Sequence, residues 1–260
     1  MQLGALTKHT TNDDSCVLSA KHLNSIQAEM RSGFAYRFIN QDSMQDSRYY
    51  EHIIFEDKCI PTRSGSTHDY FNGLIWLQFE KCKTLLNEIH WHEISKNGHR
   101  QRSAVRDKAT HFDECGMVLV SDIPELKTRL AAHDWHWLFI EKRSCWFKAK
   151  NGIVPLHFGH ANLELLCQPF IGQTAKALVI EDADLLEKAS HVVSNPNELH
   201  TFKAIDNSVA QYLKTHSIMH LKKPFLPLPI LGIPTWHFAV QDEEFYGNKY
   251  YFMPHKSARA

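Results

Sequence analysis

From Tyr70 onward the apolar residues Phe71, Leu74, Ile75, Leu77, Phe79, Cys82, Leu85, Leu86 and Ile89 recur at three- and four-residue spacing, the pattern of a helix that buries a wide stripe. The preceding run, PTRSGSTHD from Pro61, is polar, and Ser66 or Thr67 offers a side-chain oxygen to the first free backbone N–H groups. The pattern predicts one helix from that cap through Ile89. His68, Asn72 and Trp76 sit four apart on a second stripe. Polar groups thus gather in the first turn, where unpaired N–H groups and the positive end of the helix dipole favour an anion.

The rest of the chain alternates shorter patterns. Residues 1–18 read as polar and irregular, and Ser19 to Met30 as a short helix. A polar loop over residues 40–53 leads into an extended piece, Tyr49 to Phe55. SKNGHRQRS, residues 95–103, is a basic turn with Gly98 as helix stop. Ser103 then caps AVRDKATHFDEC, a helix that Gly116 ends, with Arg106, Thr110 and Asp113 on one stripe and Asp107, His111 and Glu114 on the next. MVLVSD is a buried strand and IPELKTRLAAHD an exposed helix with proline in its first turn. WHWLFIEK reads as a strand or short helix and CWFKAK as a strand, with Asn151-Gly152 turning the chain into IVPLHF. HANLELLCQPF reads as a helix stopped before Pro169, AKALVIED as a strand, and residues 183–217 as helix broken at Ser194-Asn195-Pro196. Residues 224–260 hold half of the prolines together with Phe225, Trp236, Phe238, Phe245, Tyr246 and Tyr250. That composition excludes regular helix and central strand and predicts an extended arm packed on the body. The expected architecture is α+β: one helix-rich domain over residues 1–260, built around a small, mostly antiparallel sheet from residues 117–180 and wrapped by the arm.

Composition narrows the function classes. The 29 basic residues balance the 29 acidic ones, which leaves no global field to gather nucleic acid or an anionic membrane surface. No apolar run approaches the span of a bilayer and the N-terminus lacks a signal pattern, so the expectation is a cytoplasmic protein. The six cysteines include no C-x-x-C pair and are expected to be reduced and structural. Neither a G-x-S-x-G elbow nor a glycine-rich phosphate or dinucleotide loop is present.

Candidate chemistry lies in three patterns. His68-Asp69 resembles the His-Asp doublet of a metal-dependent phosphohydrolase, with helix capping by Asp69 as the competing role. His160 and Glu164, four apart, can reach one divalent metal ion or simply bond within the helix. Asp113-Glu114 beside Arg106-Asp107 is either a set of catalytic carboxylates held by an arginine or a buried ion-pair network. Four ordered segments, PTRSGSTHDYFNGLIWLQF, VRDKATHFDECG, HFGHANLELLCQPF and PLPILGIPTW, resemble an uncharacterised family of conserved proteobacterial proteins known only as a domain of unknown function. The resemblance spans roughly residues 45 to 255, marks these same polar residues and Gly159, and implies no activity.

The sequence therefore carries two functional expectations. One is a hydrolase acting on an anionic or phosphorylated small molecule or nucleotide, with or without a divalent metal ion. Its catalytic groups are His68, Asp69, Asp113, Glu114 and His160. Its ligand-binding groups are Arg63, Asn72, Arg106 and Asp107, and His160 and Glu164 are its metal ligands. The other is a non-catalytic binding protein whose polar cluster is a buried structural network and whose arm or basic turn meets a partner. The shared premise is that His68, Asn72, Arg106, Asp113, His160 and Glu164 surround one cavity.

Overall fold

The structure, a computed structural model, describes residues 18–30, 33–98, 100–195, 198–237 and 240–255. The expected irregular N-terminal segment lies outside these residues apart from Leu18, as does Cys16. Helices dominate, sheets are small, and the class is α+β. By its internal contacts the chain forms two compact units, residues 2–114 with 196–221, and residues 115–195 with 222–260.

The first unit is helical. Its elements are α1 (Ala20–Met30), β1 (Arg37–Asn40), α2 (Tyr50–Asp57), β2 (Cys59–Thr62), α3 (Thr67–Gln78), α4 (Glu80–Asn97), α5 (Ala104–Cys115) and α9 (Leu199–Thr215). β1 and β2 form a two-stranded parallel sheet, Arg37 opposite Cys59 through Asn40 opposite Thr62. Asn24 of α1 satisfies the backbone of β1: its Nδ2 donates to Phe38 O and its Oδ1 accepts from Phe38 N. The extended piece expected at Tyr49 to Phe55 is instead the helix α2, and the strands lie on either side of it. Ile53 and Ile54 are buried there as neighbours on one helical face, a packing that a two-residue alternation would not allow.

The long helix expected from residue 66 to Ile89 is two helices. Ser66 caps α3 as expected, its Oγ accepting from Asp69 N. The break falls at Phe79, whose φ of −124° and ψ of 53° leave the helical region. Phe79 is fully buried and carries no oxygen to cap the helix that follows. Asp206 of α9 supplies the cap instead: its carboxylate accepts from Lys81 N at 2.7 Å and from Cys82 N at 3.0 Å. A residue 125 positions away thus satisfies the first turn of α4, which periodicity cannot reveal. Gly98, at φ 76°, ends α4 as expected.

The second unit is built on a four-stranded sheet in the order β4-β3-β5-β6. Its strands are β3 (Gly116–Ser121), β4 (Ile153–His157), β5 (Thr174–Glu181) and β6 (Leu226–Pro229). β3 runs parallel to β5, while the β3–β4 and β5–β6 pairs are antiparallel, so the sheet is mostly antiparallel. Helices α6 (Leu126–Ala131), α7 (His160–Leu165), α8 (Ala183–Ser194) and the short α10 (Glu243–Tyr246) complete it. WHWLFIEK forms a π-helical turn at Trp137–Glu141, a 3₁₀ turn follows at Arg143–Cys145, and CWFKAK contributes only a single bridge from Trp146 to Ile153. The aromatic rings of this stretch fill a core with Phe139 at its centre, stacked on Trp146 and Tyr246, and ring packing overrides strand propensity. Asn151-Gly152 does turn the chain, held by both carboxylate oxygens of Asp122 at 2.8 Å.

The C-terminal segment belongs to this core. Leu228, Ile230, Leu231, Ile233, Tyr251 and Phe252 are buried in it. β6 is an edge strand, the position where prolines are tolerated because one side of the ladder needs no donor. Gly232 lets the chain press on the rings, since a Cβ there would stand 2.7 Å from Phe139 and 2.9 Å from Phe252. Phe238 and residues 256–260 lie outside the described residues. Among the described residues no helix is long and apolar enough to cross a membrane, and the five cysteines, Cys59, Cys82, Cys115, Cys145 and Cys167, are all free.

Candidate functional site

Within the helical unit, α2, α3, α4 and α5 direct polar side chains toward one another. On α4 the buried face carries Lys83, Asn87 and His90 beside Cys82, Leu86 and Ile94, a polar stripe at i, i+4 and i+7 next to an apolar one. Lys83, 4% exposed, donates from Nζ to Asn72 Oδ1 at 2.7 Å and to Asp113 Oδ1 at 2.5 Å. Its ammonium also lies 5.4 Å from the centre of the Trp76 ring, a cation–π contact one helical turn beyond Asn72. Asn72 in turn donates from Nδ2 to the Tyr50 hydroxyl oxygen at 3.0 Å. Asn87 Nδ2 donates to Glu51 O at 2.9 Å and ties α4 to α2. Arg106 is buried on α5.

The electrostatics follow from this burial. Desolvation pushes the Glu51 carboxyl above the usual carboxylate range; Arg106 opposes the shift and Asp113 adds to it. Desolvation also holds the His90 ring down at about 4, with Asp113 favouring its charged form and Arg106, Lys83 and Arg102 disfavouring it. The Tyr50 hydroxyl is raised well beyond its ordinary value by burial and by the Asp113 charge. At neutral pH the site holds a neutral imidazole and a neutral phenol, with a carboxyl whose pKa burial raises, beside a lysine–aspartate ion pair.

Three of its polar atoms are buried without a hydrogen-bond partner: Glu51 Oε2, Trp76 Nε1 and His90 Nδ1. Each such atom costs about 1–3 kcal/mol in a purely structural role.

Within the helical unit the residues singled out in the sequence fall into separate groups. Asn72 and Asp113 meet through Lys83, and Arg106 acts electrostatically on the same cluster. His68 Nε2 and Glu114 Oε2 stand 3.9 Å apart, each side chain about one-third exposed; both residue types ligate divalent ions. Arg63 and Asp69 engage each other. Asp69 accepts from Arg63 N at 2.8 Å, Nε at 2.9 Å and Nη2 at 2.7 Å, and these contacts draw its carboxyl below the ordinary range against the opposing effect of burial. The Asp69 carboxylate thus anchors the strand that precedes its helix, while Ser66 does the capping. Asp107 pairs with Arg102 at the surface.

His160 and Glu164 belong to the sheet unit, as the first and fifth residues of α7, His160 buried and Glu164 partly so. That helix ends at Leu165, four residues before Pro169.

Tyr50, Glu51, Lys83, Asn87 and His90 escaped the sequence reading. For the last three the signal was available, because their i, i+4, i+7 spacing inserts a polar stripe into the apolar face. Tyr50 and Glu51 had none, since the segment that carries them reads as loop and strand.

No curated protein and no solved structure matches the chain. A family model does, over residues 36–256, nearly the whole length and including every residue of the cluster. The chain belongs to the family described as "Protein of unknown function (DUF3025)".

Proposed function

We propose that the protein is a cytoplasmic enzyme, most concretely a hydrolase of a small anionic substrate such as a phosphorylated molecule or nucleotide. The observation that carries this reading is the gathering of buried acid–base groups with unspent hydrogen-bonding capacity, Glu51 and His90, beside the Lys83–Asp113 pair. In this reading Lys83 and Arg106 attract the anion. His90, neutral at pH 7, accepts a proton from attacking water, and Glu51, which retains its proton more readily than an ordinary carboxyl, protonates the leaving group. Asp113 orients Lys83. Arg63, committed to Asp69, is replaced by Lys83 as an anion-holding group.

The reading has a metal-dependent form, in which His68 and Glu114 offer ligand atoms and His160 with Glu164 is the pair that sequence spacing suggests. Elemental analysis of the purified protein, followed by hydrolysis assays on phosphate esters and nucleotides with and without a chelator, tests both forms. Turnover supports the enzyme, and its loss on chelation supports the metal. Absence of turnover across the panel rejects the hydrolase.

A second reading draws on a different observation. Tyr50, Asn72, Lys83 and Asp113 pair with one another, as a structural network in a non-catalytic binding protein would. In that case ligand binding does not depend on these residues, and their replacement costs stability alone.

A further inference from the structure

The hydrogen-bonding capacity left over in the helical unit has a definite chemical character. Lys83 commits two of its three N–H groups, to Asn72 and Asp113, and the Trp76 indole N–H is a donor without an acceptor. Both seek an acceptor, and the ammonium favours a charged one. Glu51 Oε2 and His90 Nδ1 are also unpartnered, but a carboxyl and an imidazole can each accept or donate according to protonation and tautomer. Their natural complement is a group that gives one hydrogen bond and takes one, and a hydroxyl is the smallest that does. Trp76 and His90 are more than nine-tenths buried, and Lys83 touches the Trp76 ring. Asn87, one turn from both Lys83 and His90 on α4, bonds to the backbone of Glu51. Asp113, bonded to Lys83, acts electrostatically on both Glu51 and His90, which places the four side chains in one region of the helical unit.

We infer that Trp76, Lys83, Glu51 and His90 contact a ligand directly, and that the ligand is a small oxyanion carrying a hydroxyl on a neighbouring carbon. A bare anion would leave Glu51 and His90 without a donor. A neutral alcohol would offer the third Lys83 N–H only an uncharged acceptor. The inference rests on the anionic-substrate reading above and specifies its substrate class.

Titration calorimetry on the full chain with glycolate and acetate tests it. The wild type should bind glycolate at least ten-fold more tightly than acetate. Glu51→Leu and His90→Leu should bring the glycolate-to-acetate ratio near one, and Trp76→Phe should weaken both anions together. If a variant fails to fold, an NMR titration of the wild type replaces it: glycolate should move the Trp76 indole N–H and His90 ring resonances, and acetate only the indole. Equal affinity for glycolate and acetate, an unchanged ratio in both Leu variants, or no binding of either anion overturns the inference. Selective glycolate binding without any ester turnover rejects the hydrolase alone. Turnover with no selectivity for the hydroxyl rejects this inference alone.

Discussion

Lys83 and Asp113 form an ion pair with unequal surroundings: the lysine side chain is 4% exposed and the aspartate 24%. Removing one partner strands the other, and a stranded charge is costlier where water cannot reach it. Asp113→Asn, which leaves a buried ammonium, should cost about 2–4 kcal/mol. Lys83→Met, which leaves a carboxylate that solvent can reach, should cost about 1–2 kcal/mol. The double variant should cost less than the sum. Urea unfolding of the three variants checks the order, and a larger loss for Lys83→Met would contradict it.

The cap that Asp206 places on α4 gives a second expectation. Asp206→Ala removes the acceptor for Lys81 N and Cys82 N and should destabilise by about 1–2 kcal/mol. Asp206→Asn keeps one oxygen and should lose less, since burial already raises this carboxyl and disfavours its charge. Thermal unfolding distinguishes them, and equal losses would show that the cap acts mainly through charge.

What the sequence made legible follows from range. Period and capping are local, so α1, α5, β3, β5 and the C-terminal ends of α4 and α8 could be read within a residue or a few. Ser66 and Gly98 act through neighbours four residues away or fewer. The break at Phe79 was not legible because its compensation comes from Asp206 on a distant helix. Likewise WHWLFIEK reads as strand or short helix and CWFKAK as strand, yet the Phe139 ring is held by Tyr246 and Phe252, about a hundred residues later. The candidate site divides the same way. Asn72, Arg106 and Asp113 stood out as polar groups on amphipathic helices, whereas Lys83 and His90 hid inside an apolar stripe and Glu51 inside a segment that reads as extended.

The C-terminal segment should be indispensable. Deleting residues 224–260 removes β6 and exposes the partners of Leu228, Ile230, Leu231, Ile233 and Phe252, each worth about 1.5–3 kcal/mol when fully buried. The truncated chain should be insoluble or lack a cooperative melt. A soluble monomer melting like the full chain would contradict this packing.

Mild acid should destabilise the protein through its two buried neutral imidazoles. Burial holds His90 and His157 at about 4, below the ordinary 6.5 of imidazole. Between these values the unfolded chain binds the protons and the folded one does not, so stability rises with pH across this window. It is fully present above the unfolded value and falls progressively toward pH 4, at about 1.4 kcal/mol per pH unit for each ring. Urea unfolding at pH 7 and pH 5 measures the slope, and His157→Gln should reduce it. Unchanged stability over that interval would contradict the buried neutral state of both rings.

The central claim is that the cluster on α2 to α5 performs chemistry on an anionic substrate. Its most direct test is the rate of phosphate-ester and nucleotide hydrolysis at pH 7 by the wild type and by His90→Gln, with folding of both verified by circular dichroism. The account predicts measurable turnover in the wild type and a loss of about 100-fold or more in the variant, the scale of one general acid–base group. Turnover that survives the substitution unchanged, or none in a folded wild-type protein across the panel, would contradict it.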